Sequence, residues 1–371
     1  MNLPTYKNFE EKAPYFSKGS YKIDNDVEYE SSLQGILKMS SRPEYIFRGV
    51  SDAKFKMYNH AQREWISIIN NIDQKEDFFY NKFITDKILK CKEWNKGTIP
   101  NLLQTYNISE NDSLAYLAFM QHFGIATPLL DFTSRSLNAL YFAVENIDYN
   151  SESSIEIGNY FSVYCNYQNN TAFEIFHEVY LESMSNTRTE VLDYEWLSNN
   201  KLLLISNLTK EFNILNNIRI LNQQGLFIYN NDAELPLETV YKDFITFYKE
   251  EIGLDKFNEL LMHDTIAICF NFHKKYAKII KKILNDLWIN DEFIYPRVET
   301  LKSYVDNLIL QKHSNKDYKE YGEYTNEELV TKFKFLMRTN QPVDDELRST
   351  LVARSKKDIS NPIFGNLQSI L

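Results

Sequence analysis

The sequence predicts an α+β fold: a mixed or antiparallel sheet core, helices packed on the sheet, and a helical C-terminal extension. Short stretches of alternating apolar residues are interspersed with longer stretches of helical periodicity, without the regular strand–helix–strand order of a doubly wound parallel sheet. In composition, 43% of the 371 residues are hydrophobic, with 25 Tyr and 25 Phe but only 10 Gly and 9 Pro. A large buried core is therefore expected, and long flexible linkers are not.

Apolar residues that recur every three to four positions predict the helices. They cover residues 29–39, 60–91 and 327–337, and the stretch after Phe272. Two more helices flank the segment 121–136. The first begins at the capping-box spacing of Ser109 and Asp112 and stops at Gly124, and the second is capped by Thr133 or Ser134.

Strands are predicted where apolar and β-branched residues alternate. They cover residues 45–49, 160–165, 202–205, 218–221 and 226–229. Arg48 thus lies at the end of a strand. The last two strands flank Gln223-Gln224-Gly225, where a bulge or turn uses glycine's tolerance of positive φ.

Charge and targeting signals limit the possible partners. The formal net charge is −10, with acidic residues spread along the chain, so the surface as a whole is not expected to bind a DNA duplex. The first residues lack an apolar signal core, and no apolar run reaches membrane-spanning length. We expect a cytoplasmic protein that does not associate with membranes, and its three isolated cysteines suit a reducing compartment.

Familiar catalytic and metal motifs are missing. The six histidines are scattered without a His-x-x-x-His pair, and the cysteines form no Cys-x-x-Cys pair, so no metal site is predicted. A Walker loop and a Gly-x-Gly-x-x-Gly fingerprint are also absent, which excludes the common ATPase and dehydrogenase sites.

The segment 121–136 is the richest in polar and helix-starting residues. It connects the two helices described above, and the hydroxyls of Thr133, Ser134 and Ser136 are expected near the exposed N-terminus of the second one. Backbone N–H groups in a first helical turn, with the helix dipole, suit a phosphate or pyrophosphate. The segment is therefore predicted to form an anion site.

Ordered motifs along the chain resemble a known family. They are Phe47-Arg48-Gly49, Gln121-His122-x-Gly124 leading to Leu129-Leu130-Asp131-x-Thr133, Ala139-x-x-Phe142-Ala143, Arg219-Ile220-x-x-Gln223-x-Gly225-x-Phe227, and residues 274–299 with Pro296 near their end. This order resembles the FRG domain, named after its Phe/Tyr-Arg-Gly motif, over roughly residues 30–312. The family usually reads Pro-Thr-Arg-Leu-Leu-Asp-Trp, whereas this chain has Pro128 in place of the arginine and Phe132 in place of the tryptophan.

The resemblance divides the chain into three parts. Residues 1–30 form an N-terminal lead-in, residues 31–312 the FRG domain, and residues 313–371 a charged, partly helical C-terminal extension. The extension has too few apolar residues for a core of its own. It is expected to dock on the main domain or on a partner.

A more distant likeness is to NAD-dependent ADP-ribosyltransferases, whose layout places an arginine, a hydroxyl-rich strand-to-helix segment and a late Glu, Asp or Gln in order. This likeness implies NAD as the cofactor. The catalytic candidates it selects are Arg48, Thr133, Ser134 and Gln223. The cofactor-binding candidates are Gly49, His122, Asp131, Ser136, Arg219 and Gly225. Because a glutamine cannot act as a general base, either another acid completes the site or the pocket only binds.

Structural roles for the same residues remain open. Arg48 can be a buried partner of the Asp131 carboxylate, and His122 can cap its helix through the ring. Asp131 can be a turn or helix-capping carboxylate, and Gln223 can satisfy a buried backbone group at a bulge.

The leading functional interpretation is an FRG-domain protein whose cleft binds a nucleotide-like small molecule and transfers ADP-ribose from NAD to a protein or RNA acceptor. A role in bacterial toxin or phage-defence biology is an analogy at the level of the fold. The alternative is a non-enzymatic module that binds protein or RNA.

Overall fold

The computed structural model describes residues 3–70, 79–105, 108–148, 152–167, 202–205, 218–259, 265–296, 324–339, 343 and 345–357. At its centre is one seven-stranded sheet, ordered β1-β7-β4-β2-β3-β6-β5. The strands are β1 (Phe16–Ile23), β2 (Tyr45–Val50), β3 (Leu129–Thr133), β4 (Tyr160–Tyr167), β5 (Leu202–Ile205), β6 (Gly225–Asn230) and β7 (Ala267–His273).

Helices surround this sheet. The α-helices are α1 (Phe9–Lys12), α2 (Asp26–Ser40), α3 (His60–Ile69), α4 (Tyr80–Glu93), α5 (Thr98–Thr105), α6 (Ser113–His122), α7 (Ser136–Val144), α8 (Ile218–Gln223), α9 (Leu237–Ile252), α10 (Leu254–Glu259), α11 (Ala277–Asp286), α12 (Asp291–Ile294), α13 (Asn326–Thr339) and α14 (Asp345–Lys357). Short 3₁₀ turns lie at Ala13–Tyr15, Trp94–Lys96, Glu156–Asn159 and Lys274–Tyr276. In the part of the chain that the structure describes, no helix combines the length and apolar character needed to span a membrane.

The sheet is mixed, which confirms the predicted α+β class. β1 pairs with β7 in parallel, and the other neighbouring strands pair antiparallel. β2 and β4 are paired along the whole of β2, and β3 and β6 along the whole of β3. Between β2 and β3, however, the only register pair is Phe47 with Thr133. The sheet therefore consists of two well-paired halves joined at one point, and β2 and β3 diverge from that point towards Gly49 and Asp131.

Three apolar clusters attach the helices to the sheet. One cluster packs α2, α7 and α11 on the β2-β4-β7 half. A second packs α3 to α6 on β3 and β6, and the third covers the opposite face with α9. Leu129 and Leu130 belong to different clusters because successive side chains of a strand point to opposite faces. Between the first two clusters, above the divergence of β2 and β3, space remains for a pocket.

The chain ends join this core. β1 lies within the segment 1–30, and the buried ammonium of Lys12 donates to Ala53 O (2.9 Å), Ser162 Oγ (2.8 Å) and Asn271 Oδ1 (2.8 Å). In the C-terminal extension, α13 and α14 bury apolar residues, among them the fully buried Phe333, in the cluster that contains α7. The described part of the extension therefore docks on the main domain, one of the two partners expected from its composition.

Several predicted elements are confirmed with modest changes. The strands at 45–49, 160–165, 202–205 and 226–229 and the helices at 29–39 and 327–337 are present. The helical stretch 60–91 is two helices, α3 and α4, and residues 71–78 lie outside the described part. α6 is capped by Asp112, whose Oδ1 accepts from Ala115 N at 3.0 Å, rather than by Ser109. Gly124, just past its end, has the left-handed φ of 73° that the prediction requires.

The predicted strand at 218–221 is wrong, because these residues form helix α8. The left-handed residue beside it is Gln224, with a φ of 45°, and not Gly225. Side chains at the end of α8 bond to the carbonyls of Phe293 and Ile294. Since these contacts come from residues far along the chain, local alternation gives no sign of them.

Helix α7 crosses β2 at Gly49, where the two backbones touch. A Cβ atom on Gly49 would lie 1.8 Å from Ala139 O and 2.7 Å from Ala143 N. Glycine in the Phe47-Arg48-Gly49 motif and alanines in the Ala139-x-x-Phe142-Ala143 motif are thus the two sides of one contact. Only residues this small allow α7 to pack so closely on the sheet.

Gly49→Ala should therefore destabilise the fold severely. The added methyl group meets backbone atoms of α7, which cannot rotate away, so we expect the free energy of unfolding to fall by about 3–5 kcal/mol. Urea denaturation followed by circular dichroism measures the change. The matched control is Gly35→Ala in α2, where a Cβ has no atom within 4 Å and should stabilise the helix by up to about 1 kcal/mol. Equal stability of the two variants would contradict the close contact.

Candidate functional site

A pocket of about 360 Å³ lies where β2 and β3 diverge, between α6 and α7. Eight of the ten sequence-predicted site residues line it. These are Arg48, Gly49, His122, Asp131, Thr133, Arg219, Gln223 and Gly225. The remaining lining residues are Phe47, Gln121, Phe132, Phe142, Leu226, Phe227 and Tyr295. Ser134 and Ser136 are not among the lining residues.

Arg48 spans the gap between the two halves of the sheet. Its Nη1 donates to the backbone carbonyl of Asp131 at 2.5 Å, and its guanidinium carbon lies 5.9 Å from the centre of the Phe132 ring. Its Nε is buried and has no partner among the described residues. Burial lowers the pKa of the guanidinium, and the nearby Asp131 carboxylate opposes that shift, so Arg48 stays charged. The expected pairing with the Asp131 carboxylate is replaced by a bond to its main chain.

Asp131 projects from the middle of β3 towards the pocket. Its Oδ2 accepts from Gln121 Nε2 at 2.9 Å. The amide oxygen of Gln121 in turn accepts from the buried hydroxyl of Thr127 at 2.5 Å. Asp131 is thus neither a helix cap nor a turn residue, because its backbone is paired with Phe227 in β6.

His122 ends α6 and lies in the field of Arg219. Burial lowers the pKa of the imidazole, and the positive charge of Arg219 lowers it further, so the ring is neutral at pH 7. Backbone N–H groups of Phe123 and Gly124 make the bonds that close this helix, and a cap through the His122 ring stays a prediction. Arg219 is exposed on α8.

The hydroxyls of Thr133 and Ser134 have structural partners. Thr133, the last residue of β3, donates to Gln223 O at 2.5 Å and accepts from Arg135 N at 3.0 Å. Ser134 donates to Gln224 Oε1 at 2.8 Å. Ser136 is fully buried, and its N–H donates to Ser40 Oγ at 3.1 Å.

The predicted cap of α7 by Thr133 or Ser134 is wrong. The strand continues through Thr133, α7 begins only at Ser136, and its N-cap residue Arg135 provides no side-chain cap. The anion site expected at this helix start stays a prediction. The hydroxyls of Thr133 and Ser134 fasten β3 to the turn before β6, whereas the buried Ser136 hydroxyl has no hydrogen-bond partner among the described residues. Of the hydroxyl candidates, only Thr133 reaches the pocket.

Gln223 holds two parts of the pocket wall together. Its side-chain Nε2 donates to Ile294 O at 3.1 Å, and its backbone oxygen accepts from Thr133 and, at 2.8 Å, from Asn138 Nδ2. The alternative in which Gln223 satisfies a backbone carbonyl is therefore observed. Gly225 faces Thr133 in the register of β3 and β6.

Two polar groups near the pocket were not predicted. Burial lowers the pKa of Arg63 on α3, and the Asp131 carboxylate opposes that shift. The charge of Arg63 therefore interacts with the pocket carboxylate. Tyr295 lines the wall and donates to Glu145 Oε2 at 3.2 Å, while burial raises the pKa of that carboxyl. No motif marks Arg63, whereas Tyr295 precedes Pro296 in the part of the sequence that resembles the family's Phe-Pro segment.

Comparison with known proteins identifies the family of this region. The model of the FRG domain matches residues 43–152, so the chain contains an FRG domain. The matched residues supply β2, β3, α6, α7 and five of the pocket-lining candidates, from Arg48 to Thr133. Arg219, Gln223 and Gly225 lie beyond the match. Neither the curated proteins nor the solved structures include a significant match to the chain.

Gln223→Glu tests the clamp at this wall. The substitution replaces the N–H that Ile294 O accepts with a carboxylate, so we expect a loss of about 1–3 kcal/mol in the free energy of unfolding at pH 7. Below about pH 4 the protonated carboxyl can donate again, and the loss should shrink. Gln224→Glu is the control, because that side chain accepts from Ser134 and a carboxylate accepts equally well. Thermal melts of the two variants at both pH values make the comparison, and identical curves would count against the clamp.

Proposed function

We propose that the pocket binds a nucleotide-like ligand through Arg48 and that the protein transfers ADP-ribose from NAD. The main support is the location and incomplete hydrogen bonding of the Arg48 guanidinium. It lies at the gap in the sheet, its only described hydrogen bond goes to Asp131 O, and its buried Nε has no described partner. A buried donor without an acceptor is costly, and a ligand phosphate supplies a charged acceptor.

The charge around the pocket supports an anionic ligand. The chain carries a net charge of −10, yet two arginines line the pocket and Arg63 lies in the same field. Concentrated positive charge in a protein that is otherwise acidic attracts anions to that place. Planar guanidinium groups match the geometry of phosphate oxygens.

Aromatic side chains supply the apolar part of the binding surface. Phe47, Phe132, Phe142, Phe227 and Tyr295 line the walls. Flat rings such as a nucleobase or nicotinamide pack well against such walls. The volume of about 360 Å³ is at the lower end for small-molecule sites, which suits one half of a dinucleotide.

The order of the polar residues favours ADP-ribosyl transfer among nucleotide reactions. Arg48, the Thr133 hydroxyl and Gln223 resemble the three parts of the ADP-ribosyltransferase layout, and all three line one pocket. In that reaction the arginine binds a phosphate of NAD, and polar groups hold the nicotinamide ribose. The acceptor is a protein or an RNA, and toxin or phage-defence biology is the setting proposed by analogy.

A second candidate is a non-enzymatic module that binds protein or RNA. Next to His122 the side chains of Phe123 and Ile125 are 61% and 38% exposed. Large apolar groups exposed beside a pocket favour contact with a macromolecule. Binding of a partner without NAD turnover would support this function.

Arg48→Lys tests the phosphate contact. Lysine keeps the charge but loses the fork of donors, so we expect NAD to bind roughly 10- to 100-fold more weakly, the equivalent of one charge-assisted hydrogen bond. The measurement is the rise in melting temperature with NAD, AMP or a short RNA, together with release of labelled nicotinamide. Arg42→Lys, on an exposed residue, is the control.

Two results would contradict the proposal. If none of the nucleotides raises the melting temperature of the wild-type protein, the pocket is not a nucleotide site. If NAD binds but no nicotinamide is released in the presence of host lysate, the binding module is the better description.

A further inference from the structure

We propose that Asp131 is the catalytic carboxylate of the pocket and that Gln121 and Thr127 are its positioning residues. The inference rests on the proposed ADP-ribosyl transfer. It gives Asp131 the role of the catalytic side chain that the likeness to ADP-ribosyltransferases places at Gln223. Cleavage of NAD develops positive charge at C1′ of the ribose, and a carboxylate stabilises that charge far better than a neutral amide.

Gln223 is poorly placed for this task. Its amide nitrogen is held by Ile294 O, and its side chain carries no charge. Among the described residues that line the pocket, Asp131 is the one acidic side chain. Glu145 does not line the pocket, and its carboxylate accepts from the hydroxyl of Tyr295, which does.

The main chain of Asp131 is fixed from two sides. In the middle of β3 it pairs with Phe227 of β6, and its carbonyl accepts from Arg48 across the gap in the sheet. Leu130 and Phe132 are buried in the cluster on the opposite face. Alternation along the strand points Asp131 to the other face, where its exposed side chain lines the pocket. Phe132 lines the same pocket from the face of that cluster.

The carboxylate itself is oriented by a directed chain of hydrogen bonds. The buried Thr127 hydroxyl donates to Oε1 of Gln121, which fixes the amide so that its nitrogen faces Asp131. That nitrogen donates to Oδ2 of Asp131 at 2.9 Å. Oδ1 receives no described hydrogen bond and is the oxygen available to a ligand.

The reaction balances with water or a nucleophilic acceptor. The bond between C1′ and the nicotinamide nitrogen breaks, and its electron pair stays on that nitrogen, which neutralises the pyridinium. In hydrolysis a water oxygen forms the new bond to C1′, and its proton passes to Oδ1 of Asp131 and then to solvent. In transfer, the hydroxyl or amino group of the acceptor takes the place of water.

Asp131→Asn is the first test. Asparagine has the same shape and can still accept from Gln121, but it is neither charged nor basic. We expect release of labelled nicotinamide to fall by at least about 100-fold, while the melting temperature and the NAD affinity stay close to those of the wild type. The control is Asp255→Asn, an exposed carboxylate on α10. Wild-type turnover in Asp131→Asn, or loss of NAD binding, would overturn the catalytic role.

Gln121→Met tests the positioning role by separating kcat from KM. Without the donor to Oδ2 the carboxylate is no longer held in one orientation, so we expect kcat for nicotinamide release to fall by about 10-fold. The KM for NAD and the melting temperature should stay close to those of the wild type. Thr127→Val should lower kcat by a smaller amount, because it removes only the bond that orients the Gln121 amide. Wild-type kcat in both variants would refute the positioning role.

Different results would refute the transferase reaction and the catalytic role of Asp131. Wild-type protein that binds NAD without releasing nicotinamide refutes the transferase reaction and the role of Asp131 with it. Wild-type protein that releases nicotinamide, alongside an equally active Asp131→Asn variant, refutes only the inference about Asp131.

Discussion

The divergence of β2 and β3 is the constraint on which the pocket depends. Each strand is fully paired on its other side, β2 with β4 and β3 with β6, but the two meet only at Phe47 and Thr133. Unpaired backbone groups at the centre of a sheet are unfavourable unless another group satisfies them. Arg48 does this for Asp131 O, and it thereby becomes part of both the fold and the site.

Close packing of α7 on β2 also contributes to the pocket. With Gly49 against Ala139, the helix lies directly on one half of the sheet, while α6 and its neighbours cover the other half. Two helical layers that belong to separate halves leave a cleft where the halves separate. The side chains that line it come from both halves, so a ligand in the pocket would contact both.

The sequence predicts best what local chemistry determines. Alternation identifies β2, β4, β5 and β6 but not β1, β3 and β7, and helical periodicity identifies about half of the described α-helices. The glycine and alanine motifs mark a close contact in which Gly49 has no room for a side chain. It predicts less well what distant contacts determine. Helix α8 is held by carbonyls of α12, the buried Lys12 ties the N-terminus to three separate segments, and Arg63 enters the field of Asp131 from a helix with no motif. Ser134 and Ser136 belong to the same hydroxyl-rich segment as Thr133, yet only the fold shows that Ser134 bonds to Gln224 and that Ser136 is buried without lining the pocket.

The electrostatics of the pocket combine two requirements that oppose each other. Arg48 and Arg219 favour an anion, whereas the carboxylate of Asp131 repels one, and His122 adds no charge because its pKa is lowered. Close to Asp131 the carboxylate weakens the attraction that the arginines exert on a simple anion. A ligand that carries phosphate at one end and hydroxyl groups or developing positive charge at the other can satisfy both sets of groups. Nucleotides with an intact ribose have this distribution, which is the reason that we propose them rather than free phosphate as the ligand.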